Sequence, residues 1–546
     1  MRSPAAAIAW EFRRRHRWGL IAFACYLLVL ATSKLLLLER GQSVTFDDEQ
    51  SFAFAVVVPV GTTFMYFLAV FTFGFAGDLA GRRSIYPARM FTLPVTSGAL
   101  AGWPMLYGTS AMAVLWLATR FLAVWPSGLD APWIWPALLA AAILAWTQAM
   151  AWMPYALPGL RVIITVLLLT SIDVVAFLAI YYEASEPVMV ALLAPHVPLA
   201  YFAARFAVAS ARRGDAPDWL QIFAWLGRIT DLLPRRRDHF PSPARAQAWF
   251  EWRRHGRSLP ALVCILLPFE LSLLFLFRDT PVLVAEILIA VLFTPPFMAI
   301  FVAATVSRSS PDGSDSHELT PFIAARPLTS ASLIAAKLKA TIRSTLASWL
   351  LVLVAIPLAL RLSGTSSVGV DGARRLIEIA GTPRAVAIGL LSLVALVLCT
   401  WKQLVQSLYI GMSGRAWLVK GSVFVTLSLL TLSVPLVPWV IRNGREAIAT
   451  LWNALPWILA VLVCIKISAA AWVAIRLHDI RLLSDRTLVI GALCWDAAVL
   501  ALYGLLVWLL PTMIFPSYLL ALVAILAIPL VRISAAPLAL SWNRHR

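Results

Sequence analysis

The sequence predicts an all-α polytopic bundle of transmembrane helices, and three observations lead to that prediction. Of its 546 residues, 61% are hydrophobic and only 13% are charged, whereas soluble domains average about half apolar and a quarter charged. The apolar residues gather in runs of about 20, the length that crosses about 30 Å of hydrocarbon as a helix. Basic residues concentrate in alternate connections between those runs, as in multi-pass membrane proteins.

About fourteen apolar runs are long enough to be spans by this length criterion. Prolines inside some runs are compatible with membrane helices, because neighbouring helices satisfy the freed backbone groups. The first run lacks a small-residue cleavage signal, so we interpret it as a retained span. The predicted spans are 18–38, 51–76, 98–124, 132–153, 159–181, 187–209, 258–277, 281–306, 331–360, 384–403, 417–440, 452–475, 491–510 and 515–540.

The basic residues indicate how the spans are oriented. Connections rich in Arg and Lys, such as "EFRRRHR", "GRRSIYPAR" and "RLHDIRLLSDR", alternate with connections that have few basic residues, such as "ERGQSVTFDDEQ". Because positively charged loops stay in the cytoplasm, we expect both termini and the linker after the sixth span to be cytoplasmic. The net charge of +18 is then a topology signal. We predict a multi-pass protein of the plasma (inner) membrane with no nucleic-acid partner.

Two short phrases occur twice, at matching places in the two halves of the chain. "AWEFRRRHRWGL" at 9–20 and "AWFEWRRHGRSL" at 248–259 each precede an apolar run. "LPVTSGAL" at 93–100 and "RPLTSASL" at 326–333 each follow the second span of their half. Equal topology predicts parallel repeats with a pseudo-twofold axis along the membrane normal. The predicted domains are a first six-span unit at 1–215, a basic linker at 216–245, a second six-span unit at 246–485 and two additional spans at 486–546.

Each Pro-x-Thr-Ser turn also predicts the start of a helix. A proline disfavours helix in the residue before it, and a Thr or Ser hydroxyl can accept from the first free backbone amides. We therefore expect helices to begin at these turns and to enter the third and ninth spans.

Taken together, these features resemble the type-2 family of ATP-binding cassette (ABC) transporter permeases. The resemblance implies the membrane subunit of an ATP-driven transporter of the exporter type, which pairs with separate ABC ATPase subunits, two per fused chain. It further implies that the turn after the second span of each unit is a coupling helix that docks on an ATPase. This chain departs from the family pattern because two units are fused and two spans follow them.

The resemblance also assigns residues to two roles. The implied ATPase-coupling residues are Arg89, Phe91, Leu93, Pro94, Thr96, Ser97, Arg326, Pro327, Leu328, Thr329, Ser330 and Lys337. The implied interfacial-helix residues are Trp10, Glu11, Phe12, Arg13, Arg14, Trp249, Glu251, Trp252, Arg253 and Arg254. We expect the aromatic residues of this second set at headgroup depth, with the arginines facing anionic lipid or the ATPase.

Three acidic residues fall deep within predicted spans: Asp173, Glu286 and Asp496. A charge at the bilayer centre costs about 2.5–3.5 kcal/mol even on insertion scales. We therefore expect these side chains to face a protein interior or a water-filled cavity. They are candidates for a transport pathway or for structural pairs between helices.

The sequence has no phosphate-binding loop, metalloprotease motif, nucleophile elbow or dinucleotide fingerprint. The five cysteines lie far apart, without metal-ligand spacing. We therefore predict no catalytic residue, cofactor or metal site, and we expect ATP hydrolysis to take place in a partner subunit. This chain is thus predicted to be a transport subunit and not itself an enzyme.

Two alternatives remain open at this stage. One is an ion-coupled secondary transporter that uses Asp173, Glu286 or Asp496. The other is a polytopic glycosyltransferase, because "TFDDEQ" at 45–50 places Asp47 and Asp48 in a non-cytoplasmic loop, where an acidic pair could bind a metal and act as a base.

Overall fold

The structure is a computed structural model whose described residues are helices and short connections, with no strand among them. By contacts, the chain divides into two compact units. Unit 1 is Met1–Arg237, Pro311–Asp315 and Ala416–Ala447, and unit 2 is Asp238–Ser310, Ser316–Arg415 and Ile448–Arg546. Apart from a few isolated positions, the residues described are 3–14, 58–73, 82–121, 132–155, 159–214, 242–307, 329–406, 416–479, 484–510 and 515–528.

Unit 1 holds seven helices among its described residues before the linker. A short 3₁₀ turn, Ala88–Thr92, precedes the third of them. These helices are α1 (4–14), α2 (Val58–Phe71), α3 (Ser97–Thr119), α4 (Trp135–Trp152), α5 (Leu160–Tyr181), α6 (Glu186–Leu193) and α7 (His196–Arg213).

The predicted sixth span, 187–209, is divided into α6 and α7. Pro195 stands at the break, where its missing N–H removes a helical hydrogen bond. Directly after the break, His196 Nδ1 accepts from Trp146 Nε1 of α4 at 3.3 Å. The histidine is thus hydrogen-bonded inside the bundle.

Small residues form the centre of unit 1. Ala141, Ala142, Ala145 and Ala149 of α4 are buried, and α4 packs against both α3 and α7. Small side chains let membrane helices approach closely, which favours van der Waals packing where no hydrophobic force acts between helices. Gly108 of α3 follows the same rule, since an added Cβ would lie 2.7 Å from Leu144 Cδ2.

Unit 2 begins with two helices joined by a π-helical turn, Trp252–Gly256. The helix α14 starts in unit 1 and continues into unit 2. The helices are α8 (Pro243–Glu251), α9 (Ser258–Leu276), α10 (Pro281–Ser307), α11 (Ser330–Ser363), α12 (Ser366–Ala380), α13 (Thr382–Val405), α14 (Ala416–Asp479), α15 (Asp485–Leu509) and α16 (Ser517–Ala527).

The long helix α11 is central to unit 2. It contacts α8, α9 and α13, and Trp349 Nε1 donates to Thr400 Oγ1 of α13 at 3.0 Å. Its buried stripe repeats every four residues, which places small side chains along one face. That stripe consists of Ala336, Ala340, Ser344, Ser348 and Val352.

Ten helices in the described part of the chain are long and apolar enough to cross a membrane. Each coincides with one of the predicted spans, so the prediction of a membrane-embedded, all-α protein is confirmed. The remaining predicted spans are covered only in part by the described helices, and the total of fourteen and the two six-span repeats stay predictions. Those spans are 18–38, 51–76 and 515–540, and a fourth, 417–440, lies within the longer helix α14.

The structure differs from the predicted spans at 417–440 and 452–475. One helix, α14, runs through both stretches for 64 residues, so the predicted interruption between them is wrong. The reason lies in the connecting sequence: no proline lies between Pro438 and Pro456. Arg, Glu, Ala and Leu, which are good helix formers, outweigh the single Gly444.

We expect the substitution Gly108→Ala to destabilise the protein by about 1–3 kcal/mol, because the new methyl group would overpack the α3–α4 contact. The free energy of unfolding, measured by denaturant titration in mixed micelles, checks this expectation. Gly389→Ala in α13 is the matched control, since its Cβ would have no neighbour within 4 Å. Equal stability of the two variants would contradict the packing described for unit 1.

Candidate functional site

The first elbow, residues 82–96, is bonded to the end of α4. Ile85 N donates to Ala151 O at 3.1 Å, and Tyr155 N donates to Arg82 O at 2.8 Å. These backbone bonds fix the beginning of the elbow. The elbow is therefore part of the folded unit and not a loose connection.

Aromatic side chains fill the space beneath the elbow. Tyr86 is buried, and its hydroxyl donates to Leu100 O at 2.8 Å. Burial raises the pKa of the Tyr86 phenol, so the group stays a neutral donor. The Phe91 ring stacks on Tyr86 at 5.3 Å, and the Trp152 ring meets Tyr86 edge-on at 5.2 Å. The elbow's inner face is thus anchored in the core of unit 1.

The outer face of the elbow is exposed, and hydrogen bonds from an arginine of α7 fix its backbone. Arg212 donates to Val95 O at 2.9 Å and to Leu93 O at 3.3 Å. A fixed backbone with outward side chains is suited to docking a partner. The exposed side chains are Arg89, Thr92, Leu93, Pro94 and Thr96.

The helices that follow the two Pro-x-Thr-Ser turns begin in the same way. Thr96 accepts from Ala99 N at 3.3 Å, and Thr329 accepts from Ser332 N at 3.2 Å. The two capping residues have nearly equal dihedrals, φ −66° and ψ 148° for the first and φ −67° and ψ 152° for the second. The predicted helix starts and caps are confirmed.

Of the second elbow, residues 322–330, only Thr329 and Ser330 are described, so Arg326, Pro327 and Leu328 lie outside the described residues.

We call α1 and α8 the leading helices, because each precedes the first predicted span of its unit. In α1, Glu11 forms an ion pair with Arg89 of the first elbow, a contact whose side chains are 23% and 50% exposed. Phe12 is buried and stacks on Phe73 at 5.3 Å. The Phe12 ring thus completes the core of unit 1, and its headgroup depth stays a prediction. Trp10 of the same helix is exposed.

In α8, the corresponding glutamate has a buried partner. Glu251 Oε2 lies 3.3 Å from Lys337 Nζ of α11, and the two side chains are only 3% and 2% exposed. Gln247 Nε2 donates to the other carboxylate oxygen of Glu251 at 2.9 Å. Each leading helix thus contacts its unit's elbow, or the helix that follows the elbow, through a glutamate and a cation.

Each leading helix also has a cation–π contact of its own, at the same position of the repeated phrase. Aligning the two "E-[FW]-R-R" phrases on their glutamates pairs Trp10 with Phe250 and Arg14 with Arg254. The Arg14 guanidinium lies 5.0 Å from the Trp10 ring, and that of Arg254 lies 5.9 Å from the Phe250 ring. Such contacts contribute about 0.5–1 kcal/mol at exposed sites. The repeated phrase therefore encodes repeated side-chain geometry.

A π-helical turn joins α8 to α9 and shapes the surroundings of the buried ion pair. Gly256 is required there, because a Cβ would lie 2.4 Å from the Trp252 ring. A small cavity beside the turn borders the ion pair and is at the lower size limit for one water molecule. Its lining residues are Glu251, His255, Gly256, Lys337, Ala340, Thr341, Ser344 and Leu404.

The remaining predicted coupling and interfacial residues have ordinary surroundings. Ser97 and Ser330 are the first residues of α3 and α11. Trp249 and Trp252 are half-buried, and Arg253 lies 5.0 Å from the Trp249 ring. Arg13, by contrast, is exposed.

The three deep acidic residues do not face the interior of their units. Asp173 on α5, Glu286 on α10 and Asp496 on α15 are all exposed, so none lies in the interior of its unit, and the alternative position, in a water-filled cavity, stays a prediction. The reason is that depth in a span does not fix which side of the helix a residue occupies.

Other ionisable groups within spans do have polar partners. Lys466 of α14 donates to Ile525 O at 2.6 Å and to Leu526 O at 3.1 Å. These carbonyls end α16, where helical acceptors are left free. Thr294 Oγ1 donates to Glu270 Oε1 at 2.7 Å. The sequence analysis predicted neither pair. An unpaired charge in a membrane is costly, so each charged residue in a span could have been expected to have a polar partner.

Neither metal chemistry nor known relatives identify a function. Within the described ranges, no cluster of three or more His, Cys, Asp and Glu side chains could hold a metal ion. The chain matches no protein-family model, no curated protein and no solved structure. Function is therefore inferred from the elbows and the leading helices.

We expect Lys337→Met to destabilise the protein by about 3–5 kcal/mol, because Glu251 would be left buried without its cation. The double variant Glu251→Leu with Lys337→Met removes both charges and should regain most of that loss. Denaturant titration in mixed micelles gives the free energies of this cycle.

The more exposed pair provides the matched reference. Glu11→Ala and Arg89→Ala should each cost about 1 kcal/mol or less. If Lys337→Met were no more destabilising than Arg89→Ala, the contact between α8 and α11 would not be the buried ion pair described.

Proposed function

We propose that this chain is the membrane subunit of an ATP-driven transporter of the exporter type, whose two elbows dock separate ABC ATPase subunits. One observation carries the proposal. In each unit, a glutamate of the leading helix contacts a cation at or just after the elbow, and a threonine cap starts the helix that follows. This pairing is the arrangement expected if each leading helix and elbow move as one body.

The exposed tip of the first elbow supports a docking role. Leu93 is 37% exposed on a backbone that Arg212 holds in place, and Arg89 lies beside it. An apolar side chain and an arginine on a rigid surface are features of protein interfaces. A partner that pushes on this tip would displace α3 directly and α1 through Glu11.

The proposed mechanism uses this linkage to move the spans. ATP binding in the partner subunits would bring them together and shift each elbow with its leading helix. Because each elbow leads directly into a membrane helix, a shift favours one of two arrangements of the spans, which is alternating access. The chain contributes the pathway and the linkage, while the partner contributes ATP hydrolysis.

Co-purification from cells that also express the neighbouring genes tests the docking role. We expect an ABC ATPase to be recovered with the full chain, and Leu93→Asp to reduce its recovery about tenfold, because an interface loss of about 1.4 kcal/mol lowers affinity by that factor. Arg89→Ala should act in the same direction.

Two matched variants separate docking from folding. Glu11→Ala removes one partner of Arg89 within the chain but keeps the arginine itself, so ATPase recovery should persist. Arg278→Ala changes an arginine that is 67% exposed in the turn between α9 and α10 and should have no effect. Undiminished ATPase recovery with Leu93→Asp and Arg89→Ala would refute the docking site.

A transport assay separates ATP-driven from ion-coupled action. In inverted vesicles that contain the complex, transport should require ATP and persist when ionophores collapse the proton and sodium gradients. Transport that needs a gradient and no ATP would favour the secondary-transporter alternative.

A further inference from the structure

A short helix, α12, connects two membrane-crossing helices of unit 2. Gly364 and Thr365 join α11 to α12, and Gly381 joins α12 to α13. Both glycines have positive φ, +75° and +78°, a conformation that side chains rarely adopt and that allows sharp changes of direction. Connections this short keep α12 at the membrane boundary where α11 ends and α13 begins.

The charges around α12 mark the level of that boundary. Arg361 stands in the last turn of α11, and Arg384 stands in the first turn of α13. Arginines at the ends of membrane helices extend towards the headgroups. Between them, α12 has no buried residue, although it contacts α10, α11 and α13. The helix therefore lies at the edge of the bundle at headgroup level.

The sequence of α12 is divided between an apolar and a charged face. Val370, Ala373 and Ile377 have helical i, i+3 and i+7 spacing and form one stripe. Val370 and Ile377 are 57% and 40% exposed, so other described parts of unit 2 do not cover this stripe. The charged face carries Asp371, Arg375 and Glu378, and Arg374 lies at its border with the stripe.

The apolar stripe continues the lipid-facing surface of the flanking spans. Leu358 and Leu362 at the end of α11 and Val386 at the start of α13 are also large, exposed hydrophobic residues. On helices that cross a membrane, such side chains contact acyl chains. Continuity with that surface indicates that lipid, and not a second protein, covers the stripe.

We propose that α12 is an interfacial helix that inserts Val370, Ala373 and Ile377 into the headgroup–acyl boundary of the leaflet opposite the second elbow. The partner is the phospholipid surface itself. Because the charged face and its border together have two acidic and two basic side chains, insertion depends on buried apolar area and not on anionic lipid. The inference is independent of the proposed ATPase partner, since any protein with these two spans would present the same helix.

Depth-dependent fluorescence quenching tests the proposal on the full chain. All five native cysteines are first replaced by serine, and a bimane probe is then attached to Ile377→Cys or to Arg375→Cys, two residues away and therefore on nearly the opposite side of the helix. In phosphatidylcholine vesicles, nitroxide-labelled lipids should quench the Ile377 probe about threefold more strongly than the Arg375 probe. Aqueous iodide should give the reverse order.

Lipid composition and a second position complete the test. Adding phosphatidylglycerol should leave the ratio of the two lipid-quenching values unchanged, whereas an increase with anionic lipid would overturn the charge argument. Equal quenching at the two sites would overturn insertion. Protection of the Ile377 probe from both quenchers would mean that a protein or a second copy covers the stripe, which also overturns the lipid assignment. If Ile377→Cys fails to fold, judged by gel filtration, Val370→Cys replaces it with the same expected order.

Discussion

The contact between a glutamate on each leading helix and a cation at or near each elbow is the constraint on which the rest of the account depends. In unit 2 the contact is buried, so each charge needs the other: loss of one partner would leave an ion without water or a counter-charge. In unit 1 the Glu11–Arg89 pair is partly solvated and contributes little energy by itself. There, the buried ring of Phe12 supplies the attachment, and the ion pair sets the register.

Two different physical means therefore give the same mechanical result. The core of unit 1 holds its leading helix by aromatic packing, and α11 holds the leading helix of unit 2 by a buried charge pair beside a small cavity. In unit 1 the leading helix, the elbow and the next spanning helix form one connected body, and in unit 2 the leading helix is joined to the spanning helix α11. A force applied to the first elbow would therefore be transmitted to α3 and α1.

Local patterns predicted local structure well. The apolar runs located ten spanning helices, and the Pro-x-Thr-Ser turns located the caps at Thr96 and Thr329, because both signals depend on neighbouring residues. The Glu251–Lys337 pair was not predicted, although both residues were singled out, because 86 residues separate them and only folding brings them together. The same limit applies to the positions of Phe12 and Asp173. Whether a helical residue faces the protein core or the surroundings depends on tertiary packing. α12 is too short and too charged to satisfy a criterion for spans.

The account requires that both elbows face the same side of the membrane, and thiol labelling measures this directly. In a cysteine-free background, Thr92→Cys and Ala331→Cys each place an exposed thiol at or next to an elbow. A membrane-impermeant maleimide should label both from the cytoplasmic face of inverted vesicles, and neither from the outside of intact cells. Labelling of the two positions from opposite sides would contradict the central claim, because one set of ATPase subunits could not then reach both elbows.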